Sequence, residues 1–433
     1  MSTTGTVSAS FTKRQVLVAL YAAAVAFLTY ACIFAYRKAF TVATFEGMSF
    51  WGINYQLLLV VSQGLGYMAS KFYGIKFISE LKRLGRWKTS AVLIGAAWLC
   101  LLFFAVVPAP YGMIFLFGNG FMLGFMWGII FSYAEGRRTT DFIGAAMAVS
   151  FIFAGGFSRS VAVWLRDSWQ VPEQWLGFMT GLVFLVPLII FMILLERVPP
   201  PDKDDIQERN VRRPMTKDER RQLFKMHGGG LVAVVLTYMF LTIMRDLRDN
   251  FMANMWNELG YGQKPAIFTR TETITSLVVL VLMSLLVVVR KNIKALGLIH
   301  WVIAAGFLLA GISSALFMSG MLDGAVWMQL AGLGLYMGYI PFNCIYFERL
   351  IAAFRMAGNV GFLIYVADAW GYLGSMAVML SKEIFKIQLT LKWTEFYPWC
   401  VVVFAIVGVV ATVFSLVYFN RKYKKDLPVT TGL

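Results

Sequence analysis

Charged residues are scarce in this chain of 433 residues: they make up 14% of it, whereas 59% of the residues are hydrophobic. A water-soluble protein does not need so much apolar surface. Apolar runs near or above ~18 residues, long enough to cross a bilayer as a helix, recur along the whole sequence. The sequence therefore predicts an all-α integral membrane protein with several spans, in contact with the lipid bilayer.

Histidine and cysteine are also rare, with two and four copies. His227 and His300 lie far apart, and the cysteines all fall inside apolar segments without the spacing of metal ligands. No G-x-x-x-x-G-K-[ST] phosphate loop occurs, and no catalytic constellation stands out from the scattered charges. We expect no disulfide, no metal, no cofactor and no enzyme activity.

Acidic residues are few beside basic ones, 23 against 39, which gives a net charge of +16. The basic residues fall between the apolar runs rather than in a patch with interleaved aromatics, so they indicate membrane topology and not nucleic-acid binding. They collect in alternate loops, which predicts that both termini are cytoplasmic. The loop with Lys382, Lys386 and Lys392 departs from this rule. We expect a monomer in a bacterial inner membrane.

Charges, prolines and glycines divide the apolar sequence into twelve predicted spans. These are residues 14–42, 50–79, 86–108, 111–135, 141–167, 174–197, 228–256, 267–289, 294–320, 324–353, 358–384 and 395–421. The longest polar stretch, with a Pro triplet and dense charge, separates the sixth from the seventh. The sequence thus predicts two six-helix halves, 1–198 and 228–433, joined by a cytoplasmic linker, 199–227.

The first span of each half carries a similar motif. Thr29 to Arg37 reads "TYACIFAYR" and Thr237 to Arg245 reads "TYMFLTIMR", with Thr, Tyr and Arg at the same spacing. One explanation of the similarity is a chance match, because apolar segments use few residue types. The other is a pair of structural repeats related by an axis along the membrane normal, with a substrate site between them near the midplane.

Ionisable groups inside a span are costly, and they commonly face a polar cavity. Three of the spans combine phenols with charges at helical spacing: Tyr30 with Arg37, Tyr67 with Lys71, and Tyr365 and Tyr372 with Asp368. Arginine offers a planar fork of donors to carboxylate or phosphate, and lysine adds a point charge. The set predicts an anion site. The alternative for Arg37 is that it snorkels to the membrane surface.

The motifs "YACIFAYRKAF", "GYMASKFYG" and "GYLGS" resemble those of the organophosphate:phosphate antiporters of the major facilitator superfamily, the group of the glycerol-3-phosphate and hexose-phosphate transporters. The resemblance implies the major facilitator fold. It also implies exchange of an organic phosphate for inorganic phosphate by alternating access, with a rocking motion of the two halves around one central site.

The resemblance, position by position, assigns the phosphoryl group to Arg37 and Arg245. Together with the basic neighbours, the predicted substrate-binding set is Arg37, Arg245, Lys71, Tyr30, Tyr67, Tyr372, Tyr339, Lys38 and Arg159. The predicted coupling or gating set is Asp368, Glu272 and Asp249.

One departure from the family lies in the fifth span. Phe151 stands where the family has a histidine, and Arg159 follows it. Arg159 either replaces the histidine at the substrate or pairs with an acid.

Two other functions fit the same residues. Asp368, flanked by tyrosines, is a candidate proton carrier, so the chain could be a proton-coupled symporter of a sugar or an organic acid. A non-transporting sensor of phosphate esters is the third interpretation, although the linker of about thirty residues is too short for a signalling domain.

Overall fold

The computed structural model describes residues 12–80, 83–134, 137, 139–201, 217–354, 360–384 and 392–426. Helices account for most of these residues. They are α1 (Lys13–Lys38), α2 (Tyr55–Glu80), α3 (Arg83–Val106), α4 (Gly112–Gly124), α5 (Met126–Phe131), α6 (Thr140–Trp169), α7 (Leu176–Glu196), α8 (Lys217–Glu258), α9 (Ala266–Val288), α10 (Asn292–Met318), α11 (Gly324–Cys344), α12 (Tyr346–Phe354), α13 (Val360–Ile384) and α14 (Trp393–Asp426). Two short 3-10 helices, Ala39–Val42 and Glu173–Trp175, follow α1 and precede α7.

Helices dominate because a segment in hydrocarbon must satisfy its own backbone hydrogen bonds. Within the described ranges, ten helical segments are long and apolar enough to cross a membrane, and the bent pair α11 and α12 brings the number to eleven. The helix α2, 26 residues long, occupies the predicted second span. With α4 and α5 also taken as one span, the helices match the twelve predicted segments in order, which confirms the predicted fold class.

The fourth span of each half is broken. In the first half α4 and α5 meet at Phe125, and in the second half α11 and α12 meet at Ile345 with a bend of 52°. Pro341 lies one turn before the second break and removes a backbone donor from the helix, which favours a bend there. The predicted spans 111–135 and 324–353 did not include these breaks.

A two-stranded hairpin precedes α2, where the sequence predicted the start of a helix. Strand β1 (Ser49–Phe50) pairs antiparallel with β2 (Ile53–Asn54). Trp51 and Gly52, with φ of 54° and 78°, form the two-residue loop. Positive φ at both loop residues is typical of the tight turns that match the twist of a hairpin. The face of the protein with this hairpin is called the hairpin side, and the opposite face, where α7 ends and α8 begins, the linker side.

Each half packs around its first span. In the first half α1 packs against α6 and α7, and α2 against α4. In the second half α8 packs against α13 and α14, and α10 against α11 and α14. The halves meet where α6 packs against α9 and where α2 approaches α13. The helix α8 begins at Lys217, inside the predicted linker, whose residues 202–216 lie outside the described part of the chain.

The packing of α2 on α4 depends on glycines, because the two backbones touch. A Cβ at Gly120 would lie 2.1 Å from the carbonyl oxygen of Gln63, and one at Gly66 would lie 2.0 Å from that of Phe117. Small residues allow such close helix packing in membranes. This contact also places Gln63, whose amide donates to the Arg37 carbonyl at 2.9 Å.

We therefore expect Gly120→Ala to destabilise the protein by about 1–3 kcal/mol, the usual cost of overpacking. The midpoint of thermal unfolding in detergent measures this loss. Gly95→Ala on α3 is the matched control, because a Cβ there meets nothing within 4 Å. Equal melting temperatures for the two variants would contradict the close approach of α2 and α4.

Candidate functional site

A cavity of about 200 Å³ lies between the halves. Its lining comes from both halves: Phe34, Arg37, Lys38, Tyr67, Lys71, Trp127, Gly128, Phe131 and Phe151 from the first, and Arg245, Asp246, Asp249, Tyr339, Asn343, Cys344, Glu348, Ile364, Asp368 and Tyr372 from the second. Most of the predicted site residues therefore meet at one place, as the repeat and the polar stripes indicated.

Arg37 occupies the last turn of α1 and faces the cavity. Its Cζ lies 3.7 Å from the centre of the Tyr67 ring, so the guanidinium stacks on the phenol face. The buried Nε has no hydrogen-bond partner, and Arg37 makes no ion pair with any described residue. The guanidinium thus lies inside the protein rather than at a membrane surface, with donors available to an anion.

Arg245, the repeated arginine of α8, approaches the same cavity from the second half. Its guanidinium pairs with Asp246 at 2.6 Å and donates to the Tyr339 hydroxyl. Its Cζ also lies 4.4 Å from the centre of the Tyr339 ring. Arg245 thus differs from Arg37 because a carboxylate already offsets its charge.

Two tyrosines join the arginines across the boundary between the halves. The rings of Tyr67 and Tyr372 meet edge to face with centroids 5.4 Å apart. Arg37 lies over the first ring, and the Cζ of Arg245 lies 5.8 Å from the centre of the second. Lys71 lies beside the same row, with its Nζ 4.8 Å from the centre of the Tyr67 ring. A row of arginine, tyrosine, tyrosine and arginine therefore crosses the cavity.

Asp368 lines the cavity from α13. Its carboxylate accepts a hydrogen bond from the Tyr238 hydroxyl at 2.5 Å, and this hydroxyl lies 3.3 Å from that of Tyr339. Tyr339 in turn accepts from Arg245. Asp368 is thus connected through two phenols to the arginine of the second half. A change in the charge of Asp368 would therefore alter the hydrogen bonds and the electrostatic environment of Arg245.

The hairpin side of the cavity is closed by contacts between the halves. The Lys38 ammonium donates to the Asn250 side chain at 2.5 Å, and the amides of Gln56 and Asn254 bond to each other at 3.0 Å. Asp249 lies at the same end, where its carboxylate accepts from the Tyr336 hydroxyl at 2.7 Å. Any opening of the cavity to this side must break these bonds.

Arg159 takes part in this closure and does not line the cavity. It donates to Thr41 Oγ1 at 3.2 Å, to the Gly155 carbonyl at 2.8 Å and to the Asp249 carbonyl across the boundary. The helix α8 is kinked at Phe251 just beyond that carbonyl. Arg159 therefore bonds backbone and hydroxyl oxygens outside the lining, and the two roles expected from the sequence, substrate contact and pairing with an acid, stay predictions.

Glu272 and Tyr30 also lie outside the lining. Glu272 pairs with Arg248 at 2.6 Å, and both side chains are almost fully buried, with 1% and 0% exposed. Tyr30 packs its ring against Trp127 and Phe151, with centroids 5.3 and 5.1 Å away. The coupling role predicted for Glu272 would have to act through Arg248, and Tyr30 supports the cavity wall from behind.

Sequence reasoning missed three kinds of site residue. Tyr238 is the second tyrosine of the repeated motif and matches Tyr30, so the repeat itself could have identified it. Asp246 follows Arg245 directly, and this adjacency was the available signal for its role. No sequence signal marked the aromatic residues of the lining, because an apolar sequence does not distinguish a ring that borders a cavity from a ring in the core.

The charges that line the cavity balance. Among the described residues, Arg37, Lys38, Lys71 and Arg245 face Asp246, Asp249, Glu348 and Asp368, so the formal charges sum to zero. Two arginines that face one empty cavity would repel each other. The paired Asp246 reduces this repulsion, and the affinity for an anion must come from local geometry at Arg37 rather than from excess positive charge.

Residues 39–422 match the sequence profile of a family described as "Family of unknown function (DUF5690)". The chain belongs to this family. The match covers most of the chain, including Arg245 of the cavity, and begins two residues after Arg37. No curated protein matches its sequence.

The chain shares its fold, the major facilitator fold, with solved transporters. A bacterial homologue of the human drug peptide transporters superposes with a TM-score of 0.63 at 14% identity, covering 94% of this chain and 99% of the other. A D-xylose–proton symporter gives 0.62 at 15% identity, with 92% and 97% covered. A bacterial homologue of the human lysosomal transporter Spinster gives 0.60 at 13% identity, with 96% and 99% covered. The antiporter subfamily stays a prediction.

Proposed function

We propose that the protein is a transporter of small organic anions, and that it exchanges an organic phosphate for inorganic phosphate by alternating access. One observation carries the proposal. The Arg37 guanidinium faces a closed-ended cavity with no ion pair among the described residues, and an unpaired guanidinium fork is suited to phosphate or carboxylate. Lys71 and the phenols of Tyr67 and Tyr372 supply further cation and donors around the same point.

The surrounding contacts fit a rocking motion. Side chains join the halves on the hairpin side, at Lys38 with Asn250 and at Ser160 with Thr269. A ligand that bridges Arg37 and the tyrosines of the second half would favour the state in which the halves are closest, and such differential binding is what drives a change of state. The orientation that we propose has both termini in the cytoplasm of a bacterial cell, in the inner membrane.

The function is tested with the purified protein in liposomes loaded with phosphate. We expect uptake of labelled phosphate that depends on internal phosphate and is inhibited by organic phosphates. A pH gradient alone should not drive it, because exchange needs a counter-anion for the return step. Absence of exchange, or inhibition only by neutral sugars, would contradict the proposal. Protein-free liposomes provide the background.

Proton-coupled symport of an organic acid is the second candidate, and the position of Asp368 favours it. This carboxylate lines the cavity and is linked to Arg245 through Tyr238 and Tyr339. Symport predicts uptake driven by a pH gradient in the absence of internal phosphate. Asp368→Asn should abolish that dependence, while Asp323→Asn, at an exposed helix start outside the cavity, should retain it.

A further inference from the structure

The cavity has two unlike walls. The wall from the second half carries hydroxyls, an amide and carboxylates, whereas the wall from the first half adds four Phe and Trp rings to its three cations and the phenol of Tyr67. These four rings, called the aromatic wall, are those of Phe34, Trp127, Phe131 and Phe151. The rings of Trp127 and Phe151 have centroids 4.8 Å apart, and those of Trp127 and Phe131 are stacked at 6.1 Å with 16° between their planes.

Three rings of the aromatic wall are only half-buried although they lie inside the helical bundle. Trp127, Phe131 and Phe151 keep part of their surface free because they border the cavity. A large aromatic side chain buries about 150–250 Å² when it is covered. Ring faces that border an internal cavity therefore lack part of the free energy that burial of apolar surface would provide. A ligand with an apolar, flat body would recover that free energy, and a polyhydroxylated body would lose hydrogen bonds to water on the same surface.

The aromatic wall also has a fixed position relative to the anion site. Phe34 precedes Arg37 by three residues on α1, about one turn toward the linker side. Phe131 ends α5 on that side as well. A ligand whose anionic group contacts Arg37 would therefore lay the rest of its body along the aromatic wall, toward the linker side.

The volume of the cavity limits the size of the ligand's apolar part. An engineered cavity of about 150 Å³ in another protein holds one benzene molecule. The cavity between the halves, of about 200 Å³, has room for one ring with a carboxylate or a phosphate attached.

From these observations, and resting on the proposed function, we infer that the substrates are organic anions that carry a single aromatic or similarly flat apolar ring, with the anionic group at Arg37 and the ring on the aromatic wall. The anionic group can be a carboxylate or a phosphate, since both fit the guanidinium fork.

The test measures thermal stabilisation of the full chain in detergent, because a ligand that binds the folded state raises the melting temperature. The probes form matched pairs: phenyl phosphate with glycerol phosphate, and benzoate with lactate. Benzyl alcohol serves as the neutral aromatic. We expect each aromatic anion to reach the same shift at a concentration about tenfold lower than its partner, because covering one ring face is worth about a tenfold change in affinity.

Two substitutions test whether the aromatic wall binds the ring of the ligand. Phe151→Leu and Trp127→Leu should each reduce the advantage of the aromatic anions to less than about threefold, because a leucine keeps apolar volume but not the flat stacking face. Phe153→Leu, on the same helix, is the control: its ring packs on Phe27 and Phe157, away from the cavity, and the advantage should stay at about tenfold.

The outcomes separate this inference from the proposed function. Equal shifts within each pair, all lost in Arg37→Lys, would overturn the aromatic class and retain the anion site. Shifts by benzyl alcohol equal to those by benzoate would overturn the anchoring of the ligand at Arg37. No shift with any anion would contradict the proposed function itself.

Discussion

Replacing Arg37 by lysine is expected to reduce transport of anions to the background of protein-free liposomes. The change keeps one positive charge but removes the planar fork, and a bidentate charge-assisted contact is worth about 2 kcal/mol or more beyond a point charge. That difference corresponds to at least about thirtyfold in affinity. Since the charges of the described cavity residues sum to zero with a cation at position 37, no excess of positive charge would compensate for the lost fork.

The same variant should fold normally, because Arg37 has no ion pair to lose among the described residues. Its melting temperature in detergent should match that of the unmodified protein, so lost transport is not lost structure. Arg270→Lys, on an exposed position of α9, makes the same chemical change outside the cavity and should leave transport unchanged. Near-normal transport by Arg37→Lys would show that the fork does not hold the substrate.

Glu272→Gln is expected to destabilise the protein strongly, and by more than Gly120→Ala. The substitution keeps the shape of the side chain but leaves the guanidinium of Arg248 buried without a counter-charge. Breaking one partner of a buried pair costs about 3–5 kcal/mol. We expect the melting temperature in detergent to fall by about 5 °C or more.

A double variant distinguishes a structural pair from a coupling role. Arg248→Met with Glu272→Leu removes both charges and should recover most of the stability, since apolar replacement of a complete buried pair is often neutral. If this stable double variant also transports, the pair serves the packing of α8 against α9. If it is stable and inactive, the coupling role predicted for Glu272 gains support. A single variant Glu272→Gln as stable as the original would contradict the buried pair.

The fold could be predicted from the sequence because its signals are long and redundant. Each span is an apolar run bounded by charged residues. A single apolar segment in lipid satisfies its own backbone hydrogen bonds by forming a helix. The hairpin at residues 49–54 and the breaks at Phe125 and Ile345 were not predicted. The hairpin depends on local backbone conformations, such as positive φ at Trp51, that apolar composition does not encode, whereas Pro341 was the available signal for the bend at Ile345.

The site was predicted in part, and the reason differs by residue. Arg37 and Arg245 stood out because a charge inside a span is rare, and both line the cavity. Apart from Asp246, which adjoins Arg245 in sequence, the partners of such charges could not be predicted, because pairing between helices depends on which helices become neighbours. Arg245 pairs with Asp246, and Glu272 pairs with Arg248. Arg159 instead donates hydrogen bonds to carbonyl and hydroxyl oxygens.

The balance of charges at the cavity has a consequence for energetics under a membrane voltage. Moving one elementary charge across the membrane costs or yields about 2.3 kcal/mol per 100 mV. The described residues of the cavity, four cations and four acids, contribute no net formal charge when the carrier reorients. These residues should therefore add no voltage dependence to either step of the exchange, and the charges of the two exchanged anions should determine whether a transport cycle generates current.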